Sequence, residues 1–185
     1  MYHIKNDKRA QASSELICAG LLACMKEKPF ARITITDVQH ASTVSRSTFY
    51  RNFDCLEDVL ALLCDRGFQA VFTAYNALPV AQRGSLAKAV FQYWFRNSAV
   101  LEALVQIHRT DILFDSLRRS SGLIEALQPL ADDPARFDYF VAIITSAMIG
   151  VLTVWVEHGK TETEDQMVQK LTSAFIEMAI LELPG

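Results

Sequence analysis

The sequence lacks any run of about 18 consecutive apolar residues, the length that crosses a bilayer. Its longest apolar-rich stretch, Phe140 to Val156, is interrupted by Thr145, Ser146, Gly150 and Thr153, so a membrane span is not expected. The opening residues include Lys5, Asp7, Lys8 and Arg9 and have no apolar segment of the secretory kind. Export is therefore not indicated, and the cytoplasm is the expected compartment. Cysteine is sparse: Cys18, Cys24, Cys55 and Cys64 show no C-x-x-C spacing, and no histidine stands in a zinc-finger register. They read as buried or half-buried thiols, not as metal ligands. Also missing are a G-x-S-x-G elbow, a P-loop, a dinucleotide fingerprint and a His/Glu set spaced for a metal. Neither an enzyme nor a cofactor is expected. Alternating strand patterns, internal repeats and low-complexity segments are absent as well.

What is present is apolar and helical. Apolar residues make up 51% of the 185-residue chain and charged residues 21%, which excludes a disordered polyelectrolyte and calls for large buried faces or an oligomer interface. The length suits one or two small domains. The net charge of -3 conceals a division: residues 1–54 carry eight basic and five acidic side chains, the remainder ten basic and sixteen acidic. A basic head on an acidic body suits a protein that presents one end to a polyanion.

Ala12, Leu16, Ala19, Leu22, Ala23 and Met25, at spacings of three and four, predict a first helix from Asp7 to Lys28, which Pro29 ends. Ile33 and Ile35 can plug a small core. Thr34 with Asp37 resembles a capping pair that opens a short helix, Ile35 to Ala41. A turn at Ser42 to Val44 follows, then a second short helix capped by Ser45 and ending at Asn52. Asp54 with Glu57 signals a long segment through Leu78. Further helices are predicted over Ser85–Asn97, Ala99–His108, Arg109–Gln128, Pro134–His158 and Thr163–Leu183. The expected class is all-α, with a three-helix domain at 1–54 and a helical-bundle domain at 55–185.

The pair of short helices has the size of a helix-turn-helix, whose second helix enters the major groove. Ile35, Val38, Ala41, Val44 and Phe49 can meet beneath it, while Arg46, Ser47, Thr48, Tyr50 and Arg51 offer donors and positive charge. Arg46 can donate two bonds to a guanine edge, and Thr48 and Tyr50 carry hydroxyls suited to phosphate oxygens. Ser47 is small enough for close approach, and Thr36 stands where a helix N-terminus helps bind a phosphate.

The stretch ITITDVQHASTVSRSTFYRNF, and VSRSTFYRNF within it, resembles the recognition-helix signature of the TetR family of bacterial regulators. The resemblance covers the first third of the chain. It implies that Ser45, Arg46, Ser47 and Thr48 approach bases and phosphates, and that Tyr50 and Asn52 touch the sugar-phosphate backbone of double-stranded operator DNA. Three positions depart from the family pattern. Thr43 replaces the usual turn glycine, Asn52 a frequent histidine, and Leu56 a lysine that often contacts phosphate, a role Lys5, Lys8 or Arg9 could take over.

The same resemblance implies a repressor that binds a palindromic operator as a homodimer and is released by a small-molecule effector through a population shift. The last two helices carry Val141, Ile144, Ala147, Met148, Val151, Leu152 and Trp155, then Met167, Leu171, Ala174, Phe175, Met178 and Leu181. Each is apolar over more than one stripe, as a helix needs to be if it packs on its own chain and on a partner. An apolar effector cavity is expected among the body's aromatics, with Phe91, Trp94, His108, Phe114, Tyr139 and Met148 as lining candidates. His108 reads equally well as a satisfied core histidine. A helical adaptor that uses the same fold to bind a protein partner is the second reading of the chain.

Overall fold

The computed structural model describes residues 2–130 and 132–181. Among them are nine α-helices and no strand: α1 Lys8–Glu27, α2 Ile35–Ser42, α3 Arg46–Asn52, α4 Leu56–Ala77, α5 Leu86–Arg96, α6 Ser98–Gln106, α7 Asp111–Ser120, α8 Pro134–Glu157 and α9 Glu164–Leu181. Short 3-10 turns link several of them. Leu183, expected to close the last helix, and the side chain of Leu181 lie outside the described residues.

Asp7 starts α1 by accepting the Ala10 N–H at 2.8 Å, and satisfying one of the free donors of a first turn in this way stabilises the helix end. The buried stripe of α1 is Ala10, Ser14, Ile17, Leu21 and Cys24, whereas Ala12, Leu16, Ala19 and Ala23, at the same helical spacing, are exposed. Two apolar series interleave on this helix, and the branched one is buried. The inner face also carries Gly20, where a Cβ would lie 2.8 Å from Ser42 Cβ and 3.1 Å from Val38 O. Only glycine lets α1 and α2 approach this closely.

The pair at the start of α2 is a full capping box. The Asp37 N–H donates to Thr34 Oγ1 at 3.2 Å, and the Thr34 N–H to Asp37 Oδ2 at 2.7 Å. Lys28 Nζ stands 2.7 Å from the same carboxylate, and that ion pair, followed by the Thr34 bonds, holds Asp37 well below the usual carboxylate range. The turn after α2 puts Thr43 at φ 57° and ψ 19°, a left-handed conformation that crowds a β-branched side chain. Thr43→Gly is expected to stabilise the protein by about 1 kcal/mol, since relief of this strain outweighs the entropy glycine adds to the unfolded chain. Thermal melts of the two proteins check it, and a lower midpoint for the variant contradicts it.

α4 begins differently from expectation. Cys55 is the cap residue, and the Asp54 N–H donates to Asp58, not to Glu57, at 3.0 Å. With 22 residues it is about 33 Å long at 1.5 Å per residue, and it packs on α1 at one end and on α5 and α7 along its length. A single hydrophobic core therefore runs from Ile17 to Leu171. In the body, Phe68 meets Trp94 edge-on at 5.3 Å, and Phe95 stacks on Trp155 at 4.1 Å. These contacts join α4 to α5 and α5 to α8.

The predicted helix from Arg109 to Gln128 is too long. α7 stops at Ser120, where Ser121 Oγ bonds back to Arg118 O at 2.7 Å, and two 3-10 turns, Ser121–Leu123 and Glu125–Leu130, follow. Serine side chains compete for backbone groups in this way, and apolar periodicity does not register it. The connector is fastened to the end of α4. Arg83 donates to Leu78 O, Asn76 O and Glu125 Oε2 at 3.0, 2.6 and 2.7 Å, and Asn76 Nδ2 donates to Leu123 O at 2.6 Å.

Asp133 caps α8, with Pro134 in the first turn. Val141, Met148, Leu152 and Trp155 of α8, and Met167 and Leu171 of α9, are buried within the chain. Ile144, Ala147, Val151 and Phe175 pack against this core in part. A different set faces outward: Tyr139, Ile143 and Val154 on α8, and Ile176, Met178 and Ile180 on α9. By length and composition α8 could cross a membrane, but its inner residues are packed against α6, α7 and α9.

Candidate nucleic-acid interface

α3 is seven residues long, too short to persist alone, and is held by what it buries. Phe49 is fully enclosed, with Tyr50 edge-on at 5.6 Å and Phe53 at 5.7 Å. Val38 is buried beside it in the core, and Ile35 and Val44 are partly so, whereas Ala41, expected there, is exposed. Ser45 caps the helix, its Oγ accepting the Thr48 N–H at 3.3 Å and lying 3.1 Å from Ser47 Oγ and 2.9 Å from Thr48 Oγ1. Three hydroxyls thus cluster at the positive end of the helix dipole, where a phosphate oxygen is favoured.

The outward face carries Arg46, Ser47, Tyr50 and Arg51, all exposed. Arg46 lies over the Tyr50 ring, 5.5 Å from guanidinium to centroid, with a 3.5 Å contact from its NH2 to the Tyr50 hydroxyl. The stacking reduces the freedom the arginine must lose when it binds. Thr36 is exposed in the first turn of α2, and Thr48 is half-buried. This face therefore brings together a fork of donors, hydroxyls and two cations without an acidic side chain among them.

Asn52 is a correction. Its side chain is 1% exposed, and its Nδ2 donates to Thr48 O at 2.9 Å and to Ser13 Oγ at 3.2 Å. It pins α3 to α1 from inside and does not reach toward a backbone phosphate. Leu56 is likewise buried in the core. Positive charge comes instead from Lys5, in the segment before α1, and Arg9, in the first turn of α1, which share a polar hollow of about 190 Å³ with Arg51, Asp7 and Asn52. Sequence reading supplies the cations but not their convergence on Arg51, because the segment is placed by contacts distant in sequence, such as the His3 N–H to Asn52 O bond at 3.0 Å.

The body holds an apolar cavity of about 160 Å³ between α4, α5, α7, the connector and α8. Phe72, Val90, Leu117, Ile124, Ile144 and Met148 contribute to its wall, and Thr145 and Ser121 are its hydroxyl-bearing residues. Of the six expected lining residues only Met148 is there. Phe91 and Trp94 fill the core itself, and the Trp94 Nε1 has no hydrogen-bond partner among the described residues. His108 is exposed in the turn after α6, with φ 56°, so it is not a core histidine. Phe114 is half-buried away from the cavity. Tyr139 is 74% exposed on the outer stripe of α8.

Comparison with known proteins identifies the family. Residues 85–177, about half the chain, match the family described as the transcriptional regulator C-terminal region, one of the TetR C-terminal families. The chain belongs to the TetR family of transcriptional regulators. Among solved structures it is similar to Lin0861 from Listeria innocua, at a TM-score of 0.73 and 16% identity over 95% of this chain and 96% of that one. It also resembles a TetR transcriptional regulator from Streptococcus agalactiae 2603V, at a TM-score of 0.59 and 18% identity over 91% and 96% of the two chains. A third similar structure is a putative TetR-family transcriptional regulator from Syntrophomonas wolfei, at 0.63 and 17% identity over 94% and 97%. No curated protein matches the sequence.

Proposed function

We propose that this TetR-family regulator is a cytoplasmic repressor. A homodimer, joined through the outer faces of α8 and α9, sets two α3 helices into major grooves of a near-palindromic operator, about 34–36 Å apart or at a somewhat larger spacing fixed by the dimer. An uncharged, largely apolar small molecule entering the body cavity favours a dimer whose α3 helices are wrongly spaced, and the operator is released. The observation that carries this reading is α3 itself, a helix anchored by Phe49 with Arg46, Ser47, Tyr50 and Arg51 on its open face. Further support comes from the exposed Tyr139, Ile143 and Val154 on α8 and Ile176, Met178 and Ile180 on α9, apolar side chains of the kind a partner covers.

Ile144→Trp tests the effector step, because Ile144 lines the cavity and an indole there fills it. Overpacking of this sort costs about 1–3 kcal/mol, within the margin of a stable domain. The variant is expected to hold operator DNA as the parent does and to remain bound when uncharged aromatic compounds release the parent. Release of both proteins at the same compound concentrations contradicts the cavity as effector site.

A further inference from the structure

The segment before α1 is fastened at two adjacent residues to two different parts of the molecule. The His3 N–H donates to Asn52 O at 3.0 Å, its ring Nε2 lies 3.5 Å from Tyr50 O, and it is 4.0 Å from Asp54. It therefore sits on the C-terminal end of α3, behind the residues that face outward. One residue away, the Tyr2 hydroxyl donates to Asp65 Oδ2 at 2.5 Å.

Asp65, on α4, is shared. Its Oδ1 accepts from Ser116 Oγ at 2.5 Å and from Arg119 NH2 at 2.8 Å, both on α7. The next residue of α4, Arg66, donates to Ser14 Oγ of α1 at 3.0 Å. Ser116 is completely buried, and its neighbour Leu117 lines the body cavity, as do Ser121 and Ile124 just beyond. One carboxylate thus ties the cavity wall to the strap that lies on the recognition helix. Burial and Asp65 push the Tyr2 phenol up to about 12, so it remains a donor through the physiological range. If Tyr2 lets go, Asp65 keeps Ser116 and Arg119, and the strap can detach without unfolding α7.

We infer that Asp65 is a positioning residue for operator recognition: with Ser116 and Tyr2 it forms a clip through which the place of α7 at the cavity wall sets the place of α3. The path is Leu117, Ser116, Asp65, Tyr2, His3, Asn52. A shift of α7 that carries Ser116 and Arg119 with it turns the Asp65 carboxylate away from the Tyr2 hydroxyl, which frees the strap and loosens the end of α3. This role rests on the reading of α3 as the helix that enters operator DNA.

Two measurements on the full chain separate the clip from its use. In amide exchange followed residue by residue, Tyr2→Phe and Ser116→Ala are each expected to speed exchange at the His3 amide by about fivefold, the scale of one hydrogen bond, while the amides of α5 and α9 stay unchanged. Tyr2→Phe keeps the ring and its packing, so it does not act by unfolding. Unchanged His3 exchange in Ser116→Ala, with Tyr2→Phe altered or not, overturns the clip, and no DNA is needed to see it. On operator fragments selected by the parent, each variant is expected to lose about fivefold in affinity and the double variant no more than either single one, with binding to random DNA unchanged. Losses that multiply in the double variant, or that fall equally on random DNA, overturn the positioning role. If the parent itself shows no sequence preference, the reading of α3 fails and the positioning role falls with it, while the exchange result still decides the clip.

Discussion

Arg46→Ala is expected to lower operator affinity by about 1–3 kcal/mol, roughly 5- to 150-fold, and to flatten the preference at one base pair of each half-site. Arg46 is exposed at the first position of α3, and its guanidinium is held over Tyr50 at 5.5 Å. A bidentate bond to a guanine edge is geometry that alanine cannot offer and lysine cannot reproduce. Tyr50→Phe is the useful contrast. It keeps the ring on which Arg46 rests and removes only the hydroxyl, so it should weaken binding to all sequences alike, as the loss of a phosphate contact does. Titration of each variant against the operator and against single-base variants of it distinguishes the two patterns. An unchanged base preference in Arg46→Ala would falsify the assignment of this residue.

Phe49→Ala is expected to cost about 3–5 kcal/mol, because a fully buried ring is replaced by a cavity beneath α3. α3 has one enclosed aromatic side chain, and its other buried residue is Asn52. Without the ring, Asn52 and its bonds to Ser13 and Thr48 have nothing to hold them in register. The variant should lose operator binding altogether, whereas the body keeps Trp94, Phe68 and the Phe95–Trp155 stack. Melting followed by circular dichroism should show helix lost at lower temperature in the head, before the main transition. A single transition at the parent's midpoint contradicts this account of what supports α3.

The head was the legible part of the chain because its signals are local. Thr34 with Asp37, Ser45 before a polar helix, and Pro29 act within a turn of backbone, and the structure places each where those rules require. The inward position of Asn52 is written in the sequence. Phe49, Asn52 and Phe53 are spaced three and four apart, so Asn52 shares the inner face of α3, and the expectation of a phosphate contact came from the family pattern. The two interleaved apolar series of α1 needed Gly20 and its approach to Ser42 to be told apart.

In the body, periodicity identified helices and inner faces but could not say which inner side chains border a void. Phe91 and Trp94 belong to the correct face of α5, yet they fill space, and it is Val90, with Leu86 and Ala87 a turn earlier, that meets the cavity. Tyr139 and Phe140 are sequence neighbours, but Phe140 lines the cavity and Tyr139 stands on the outer stripe. The Asp65 clip was illegible for the same reason. Its members come from three segments separated by 51 to 63 residues, and no local rule joins them.

The most direct test of the central claim is selection of bound fragments from random or genomic DNA by the purified protein, with the enriched sequences confirmed by titration across salt concentrations. A two-fold symmetric motif is predicted, its half-sites spaced for two α3 helices and its affinity falling as salt rises. No enrichment at any salt, from folded dimeric protein, would contradict the account and leave the exposed face of α3 without a nucleic-acid partner.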